Sequence, residues 1–291
     1  MLLMLLLSTV VAIKPVIMMH GVNSDRHEMD TIADVIKLEH PGAVATSLPV
    51  FEKDSSFLHP LGKQVPGIID SIRSLVAGNS TLYKDGYHFV CKSQGALLCR
   101  LILEEMNDHN VSHFVSLAGP QAGVYGQGFF HGAPKWIQDL AVDEIWRVAY
   151  TSTFQGFISD ANMWRDAKHY DKYLQTNPVL PLYDGERTSA ASLARFKANF
   201  VRLRRAVFCV GSGADYDGGI APWQTGVWGS YDSSGHLVNM TEQPFYTNDT
   251  FGLRSLNESG RLVTTIVPGV SHGDWTGDRE IIRKYILPHL D

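Results

Sequence analysis

At 291 residues, 44% of them hydrophobic and 19% charged, the chain has the apolar mass for one large α/β domain or one domain carrying an insertion. A formal net charge of -5 supplies no basic stripe for a phosphate backbone, and the densest cationic group (Arg202, Arg204 and Arg205) reads as solvated surface. Nucleic-acid binding is disfavoured on both counts.

Residues 1–13 are apolar but too short to span a bilayer. They read as a signal-peptide core, with Val10-Val11-Ala12 as a tolerable cleavage sequence, although no Lys or Arg precedes them. The alternative is a buried first strand. Five sequons agree with secretion, at Asn79, Asn110, Asn239, Asn248 and Asn257. Only three cysteines occur, Cys91, Cys99 and Cys209, an odd and sparse set for a secreted chain; all three are expected to be buried thiols. No later segment is long and apolar enough for a membrane helix, so no stable membrane span is expected.

Pro15 to Met19 is an unbroken apolar run, the mark of a buried strand, and it ends in the turn-rich loop His20-Gly21-Val22-Asn23-Ser24-Asp25. A glycine there lets backbone approach a reacting oxygen, with the Val22 amide as the donor. The pattern then predicts a helix over Met29 to Leu38, a strand over Ala43 to Val50, and a helix opening at Pro66-Gly67 and ending at Gly78.

Tyr87 to Arg100 is the most informative stretch. An apolar, β-branched run leads into Cys91-Lys92-Ser93-Gln94-Gly95, and leucines and isoleucines then recur at helical spacing to Glu105. Strand, sharp turn and helix with a serine at the apex form a nucleophile elbow, whose helix N-terminus aims backbone amides at a developing negative charge. The usual glycine two residues before the serine is Cys91 here. Taken alone, the stretch also fits an ordinary βα turn. His113 to Ala118 follows as another buried strand, and strands alternating with helices imply a mostly parallel sheet.

The alternation stops near Gly123. From there to about Phe200 the chain is aromatic-rich, with helical stretches around Pro134 to Val148 and Ser192 to Val201. This segment, about 123–200, reads as a mainly helical cap whose apolar walls would suit an acyl chain, although each aromatic taken singly is better explained as packing. The sheet resumes at Ala206 to Val210, before a glycine-rich loop bearing Asp215 and Asp217. A last strand, Leu262 to Val267, precedes the loop carrying His272, and Arg279 to Leu290 reads as a closing helix.

Serine, acid and histidine therefore occur in hydrolase order, each on a loop after a strand. A serine hydroxyl attacks well only if a base removes its proton, which an imidazole does near neutral pH. A carboxylate behind that imidazole fixes its tautomer. Ser93, Asp217 and His272 fill these roles, with Asp215 as the rival acid. His27-Glu28 lacks the second histidine of a zincin helix, His109 and His113 are four apart but the second begins a strand so they share no helix face, and Gly211-x-Gly213 is too short for a dinucleotide fingerprint. No cofactor or metal is called for.

With these residues in hand, the sequence resembles the palmitoyl-protein thioesterase family, lysosomal serine hydrolases of the α/β-hydrolase fold. The likeness runs from about Pro15 to the C-terminus. It is carried by Val16-Ile17-Met18-Met19-His20-Gly21, Cys91-Lys92-Ser93-Gln94-Gly95, Asp108-His109-Asn110-Val111 and Gly119-Pro120-Gln121-Ala122-Gly123. Gly218 to Gln224, Phe251-Gly252-Leu253 and Gly269-Val270-Ser271-His272 extend it. The cysteine before the elbow and the Asp-His-Asn-Val segment look most like the family's second, lysosomal acyl-thioesterase branch, whose members favour acyl-coenzyme A.

The resemblance implies Ser93 as nucleophile, Asp217 as acid, His272 as base, and the amides of Val22 and Gln94 as oxyanion donors. It implies a long-chain acyl thioester substrate, either acyl-CoA or an acylated protein or peptide, and a lysosomal or secreted location. Lys92 beside the elbow and Ala96 after Gly95 depart from the family pattern, and the cysteines of the expected family disulfides are mostly absent. A lipase or carboxylesterase acting on oxygen esters, and a non-catalytic acyl-binding protein, are the other readings.

Overall fold

The computed structural model describes residues 13–126, 135–213 and 217–290. Nearly all of the expected leader, Phe129 and Phe130 of the aromatic segment, and the rival acid Asp215 lie outside these residues.

Six parallel strands form the central sheet: β1 (Val16–Met19), β2 (Ala45–Ser47), β3 (Tyr87–Lys92), β4 (Val111–Leu117), β5 (Arg205–Ser212) and, after a small antiparallel hairpin of β6 (Ser230–Tyr231) and β7 (Leu237–Val238), β8 (Leu262–Pro268). Their order across the sheet is β2-β1-β3-β4-β5-β8. The chain thus starts near one edge, steps out to β2, then crosses back and fills the sheet toward the other edge. Strands β1, β3 and β4 are buried along their whole length, as expected of a parallel sheet covered on both faces. Strand β8 is an edge and alternates instead, leaving Ile266 48% exposed.

Helices α1 (Asp30–Glu39), α2 (Leu61–Gly78), α3 (Gln94–Glu105), α4 (Ala190–Phe200) and α5 (Arg279–Tyr285) are the main helical elements. Helix α3 follows β3 directly, is buried from Gln94 to Glu104, and packs against both α2 and α4. Helix α4 was expected within an inserted cap, yet it belongs to this layer. Asn199 donates to the Glu104 carbonyl at 2.8 Å, and Arg195 pairs with Glu105. Between Gly123 and α4, the described chain adds only short helical pieces and no strand of the main sheet.

Several boundaries differ from expectation, each for a local reason. Strand β2 is three residues long because it is a half-exposed edge, and Pro49 has no amide to extend the ladder beyond Leu48. Helix α2 starts at Leu61, so Pro66 lies inside it. The lost hydrogen bond is offset by the buried stripe Leu61, Val65, Ile68, Ile69 and Ile72. The closing helix stops at Tyr285 and tightens into a 3-10 turn at Leu287–His289, where Pro288 interrupts the donor series.

Cysteine corrects the sequence reading most clearly. Cys91 and Cys99 are joined in a disulfide, with Cα atoms 6.6 Å apart, and Cys209 alone is a buried free thiol. The end of β3 and the second turn of α3 face each other across the elbow. A strand residue and a helical residue eight positions apart are therefore neighbours.

Candidate active site

The site begins with the strain at Ser93. Its backbone sits at φ 54, ψ −130, a left-handed region that a non-glycine residue adopts only when its surroundings hold it there. The Ser93 amide donates to the Leu117 carbonyl on β4 at 2.8 Å, which fixes the turn to the sheet. Gly95 is dictated by contact: a Cβ there would lie 2.2 Å from the carbonyl oxygen of His20. Cys91 stands where a glycine was expected; it is an in-register strand residue, paired with Met19 on β1 and Ser116 on β4, and its sulfur is bonded to Cys99.

The loop after β1 arrives beside this turn. A Cβ on Gly21 would approach the Ser93 Cβ to 3.1 Å. His20 holds the loop through its two ring nitrogens, at 2.8 Å from the Gly21 carbonyl and 3.1 Å from that of Val50. The Gly21 amide is bound by Glu28 Oε2 at 2.7 Å. The amides of Val22 and Gln94 make no backbone hydrogen bond to a described residue. The Gln94 side chain points away and donates to the Ser56 carbonyl at 2.9 Å, anchoring the start of α3.

Lys92, the unexpected cation beside the serine, is paired with Glu28. Burial alone would raise the Glu28 carboxyl pKa. The Lys92 charge and the Gly21 amide outweigh that and hold it below the ordinary carboxylate range. Both charges are therefore present and mutually compensated.

Asp217 and His272 meet on the far side of the cavity. Asp217 Oδ1 lies 2.7 Å from His272 Nδ1 and also accepts the amides of Gly219 (3.1 Å) and Ile220 (2.9 Å). The carboxylate is 1% exposed and its residue sits at φ 76. The His272 amide donates to the Asp217 carbonyl at 2.6 Å, so backbone and side chain together fix the ring. Gly219 is required because a Cβ there would fall 2.4 Å from the imidazole. With Nδ1 donating to the carboxylate, Nε2 is the nitrogen left to take a proton.

Ser93 and His272 line one cavity of about 210 Å³, together with Gly21, Val22, Glu28, Lys92, Gln94, Pro120, Asp160, Met163 and Ile220. Four loops, after β1, β3, β5 and β8, thus converge at the C-terminal ends of parallel strands, where open α/β sheets place their ligands. Sequence reasoning brought together Ser93, Asp217, His272, Val22 and Gln94. It missed Glu28, whose partner Lys92 lies far along the chain, and Asp160, whose place in the cavity wall is set by tertiary packing, because a carboxylate in a helical stretch carries no sequence mark of either. Among the described residues, no cluster of three or more His, Cys, Asp or Glu side chains is arranged to hold a metal ion.

The family model for palmitoyl protein thioesterase matches residues 15–272. The lysosomal thioesterase PPT2 of Rattus norvegicus is 36% identical over 278 residues, covering 95% of this chain and 88% of that protein. Lysosomal thioesterase PPT2-B of Xenopus laevis is also 36% identical, over 285 residues, covering 98% and 95%. Among solved structures, the lipase BlEst2 of Bacillus licheniformis matches with a TM-score of 0.50 at 14% identity, covering 96% of this chain and 93% of that one, a likeness of fold alone. The family match runs from the residue before β1 to His272 itself, and with relatives this similar along nearly the whole length, the chain belongs to the palmitoyl protein thioesterase family.

Proposed function

We propose that this protein hydrolyses long-chain acyl thioesters through an acyl-Ser93 intermediate. The observation that carries the reading is a strained Ser93 sharing one cavity with a His272 whose Nδ1 is held by a buried Asp217. Ser93 Oγ attacks the thioester carbonyl carbon while His272 Nε2 takes the hydroxyl proton. The amides of Val22 and Gln94 receive the oxyanion. The carbon–sulfur bond breaks as the carbonyl reforms, and the imidazolium returns its proton to the departing sulfur. A thiol has a pKa of about 8.5, so that departure demands little acid assistance. Water, deprotonated by the same imidazole, then releases the fatty acid and restores Ser93.

The segment from Gly123 to about α4 serves as a cap, contributing Asp160 and Met163 to the cavity wall. The relatives named above are called lysosomal, and with the apolar leader and the sequons this supports a lysosomal or secreted location here. Asn79, Asn110, Asn239 and Asn248 are exposed; the amide nitrogens of Asn110 and Asn239 donate to the Lys84 carbonyl at 3.4 Å and to Glu242 Oε2 at 3.3 Å, which leaves Asn79 and Asn248 the most open glycan acceptors. Asn257 is half-buried and donates to the Tyr246 hydroxyl at 2.6 Å, so it is the poorest acceptor of the five.

A fluorophosphonate probe should label the wild-type protein at Ser93 and leave Ser93→Ala unlabelled. Rates on a matched palmitoyl thioester and oxygen ester should favour the thioester. Preference for the oxygen ester would instead make the protein a lipase or carboxylesterase. Absence of labelling with intact ligand binding would make it an acyl-binding protein.

A further inference from the structure

Asp160 is a buried carboxyl whose side chain has no partner among the described residues. It lies on the short helix Ser159–Met163, is 2% exposed, and lines the same cavity as Ser93 and His272. The other buried carboxylates among the described residues are engaged. Asp217 holds His272, Asp184 holds Arg100 and Arg165, Glu104 holds Arg100, Asp166 holds His169, and Asp249 pairs with Lys197. The Asp160 carboxyl makes no hydrogen bond or ion pair to any described residue, only its backbone carbonyl accepting the Trp164 amide at 3.1 Å, and its Oδ1 is closed off from solvent without a partner. The charged groups that share the cavity are committed elsewhere, Lys92 to Glu28 and His272 to Asp217. Burial, with no opposing influence, pushes the Asp160 carboxyl up to about 7, so in acid it keeps its proton and offers an O–H.

A buried donor without an acceptor is retained at a cost, and beside a reacting centre the missing acceptor belongs to the substrate. In a fatty acyl thioester the chain is hydrocarbon and offers no oxygen. The thioester carbonyl oxygen is the group that the oxyanion amides receive. The remaining acceptor close to the sulfur is an amide carbonyl of the thiol half, a few bonds away both in the cysteamine unit of acyl-CoA and in an S-acylated cysteine of a peptide. We propose that Asp160 is a specificity-determining residue that donates a hydrogen bond to this amide carbonyl. This rests on the reading of the site as a thioester hydrolase.

Three palmitoyl thioesters with a common acyl chain separate the possibilities: that of N-acetylcysteamine, that of N-acetylcysteine amide, and that of propanethiol, which lacks the amide. The thioester of unacetylated cysteamine adds a cationic control. In the wild type, kcat/KM should favour the amide-bearing thiols over propanethiol. In Asp160→Leu that ratio should fall about tenfold, and in Asp160→Asn, which keeps a donor, most of it should return. Of the two amide-bearing thiols, the one whose ratio falls further in Asp160→Leu is the source the pocket reads. Asp160→Val provides a second apolar variant should Asp160→Leu fail to fold. An unchanged ratio in a folded apolar variant overturns the proposal. So does selection for the cationic thiol without rescue by Asn, because Asp160 would then act as an anion. If the wild type hydrolyses no thioester and takes no fluorophosphonate label, the hydrolase reading itself fails; if it turns over propanethiol ester alone, only the role of Asp160 does.

Discussion

Glu28 binds two parts of the site at once, and its partners lie on different elements. One oxygen accepts the Gly21 amide at 2.7 Å on the loop that presents Val22, and the other meets Lys92, the residue before the serine. Removing Lys92 leaves a poorly solvated carboxylate, and neutralising Glu28 leaves a buried ammonium; either is a larger loss than removing both. Lys92→Met and Glu28→Gln should therefore each lower kcat with little change in KM, because the loop they fix carries Val22, the proposed oxyanion donor. The double variant should recover part of that loss, with a coupling energy of about 1–3 kcal/mol. Strict additivity in the double-mutant cycle would show that the pair does not act as a unit. Nothing in the sequence marked this pair, since Glu28 and Lys92 are distant in the chain. Ser93, Asp217 and His272 were legible because each is punctuated by the strand before it and the glycines around it.

Asp160 has a second, purely thermodynamic consequence. Its folded-state pKa, about 7, stands above its ordinary value of 3.8. Between those values the folded chain binds a proton that the unfolded chain does not, so this residue adds stability as pH falls through that window and withdraws it above neutrality. Asn cannot ionise. The advantage of Asp160→Asn over the wild type should be a few kcal/mol at pH 8, the order set by that difference in pKa, and should shrink toward pH 4. Urea denaturation at both ends of the range measures it. A constant gap would mean that the carboxyl stays ionised in the folded protein.

At the scale of elements, the elbow is a strand and a helix joined by a strained residue and tied by a covalent bond. The Cys91–Cys99 bridge closes a short loop around Ser93, and a loop of eight residues is worth roughly 2.5 kcal/mol in chain entropy. Cys99→Ser should lower unfolding stability by about that amount, and dithiothreitol should bring the wild type to the same denaturant midpoint. No further loss on adding reductant to the variant is the check that one bridge is responsible. Cys209, whose thiol is pushed up to about 12 by burial, should stay silent to thiol reagents until the chain unfolds. Cysteine count and spacing did not reveal the bridge, because the pairing depends on how α3 turns back against β3. Element boundaries were misread for a related reason. Pro66 and Pro288 are strong local signals, and tertiary burial overrode the first while the second prevailed.

Across the whole molecule, the site is assembled from segments near residues 21, 93, 160, 217 and 272, so its geometry depends on how helix α3 is held to the chain packed over it. A buried charge network makes that connection. Arg100 on α3 donates to Glu104 at 3.0 Å and to Asp184 at 2.8 Å, and the other oxygen of Asp184 accepts from Arg165 at 2.8 Å, which in turn pairs with Glu186. The Arg100 guanidinium also lies 5.2 Å from the ring of Trp228 and 5.3 Å from that of Phe251, joining the later part of the chain to the same point. Asp184 is the only anion in the described network that touches both arginines, so its removal takes one carboxylate partner from each of two buried cations, leaving Arg100 with Glu104 and Arg165 with Glu186. Asp184→Ala should cost about 3–5 kcal/mol, measured as a fall in denaturant midpoint. Asp184→Asn keeps an acceptor but not the charge, and should cost less. Because the network carries no group that lines the cavity, fluorophosphonate labelling of Ser93 in the surviving folded fraction should keep its wild-type pH profile. A shifted profile would mean that the arginines reach the catalytic centre electrostatically rather than by holding its frame.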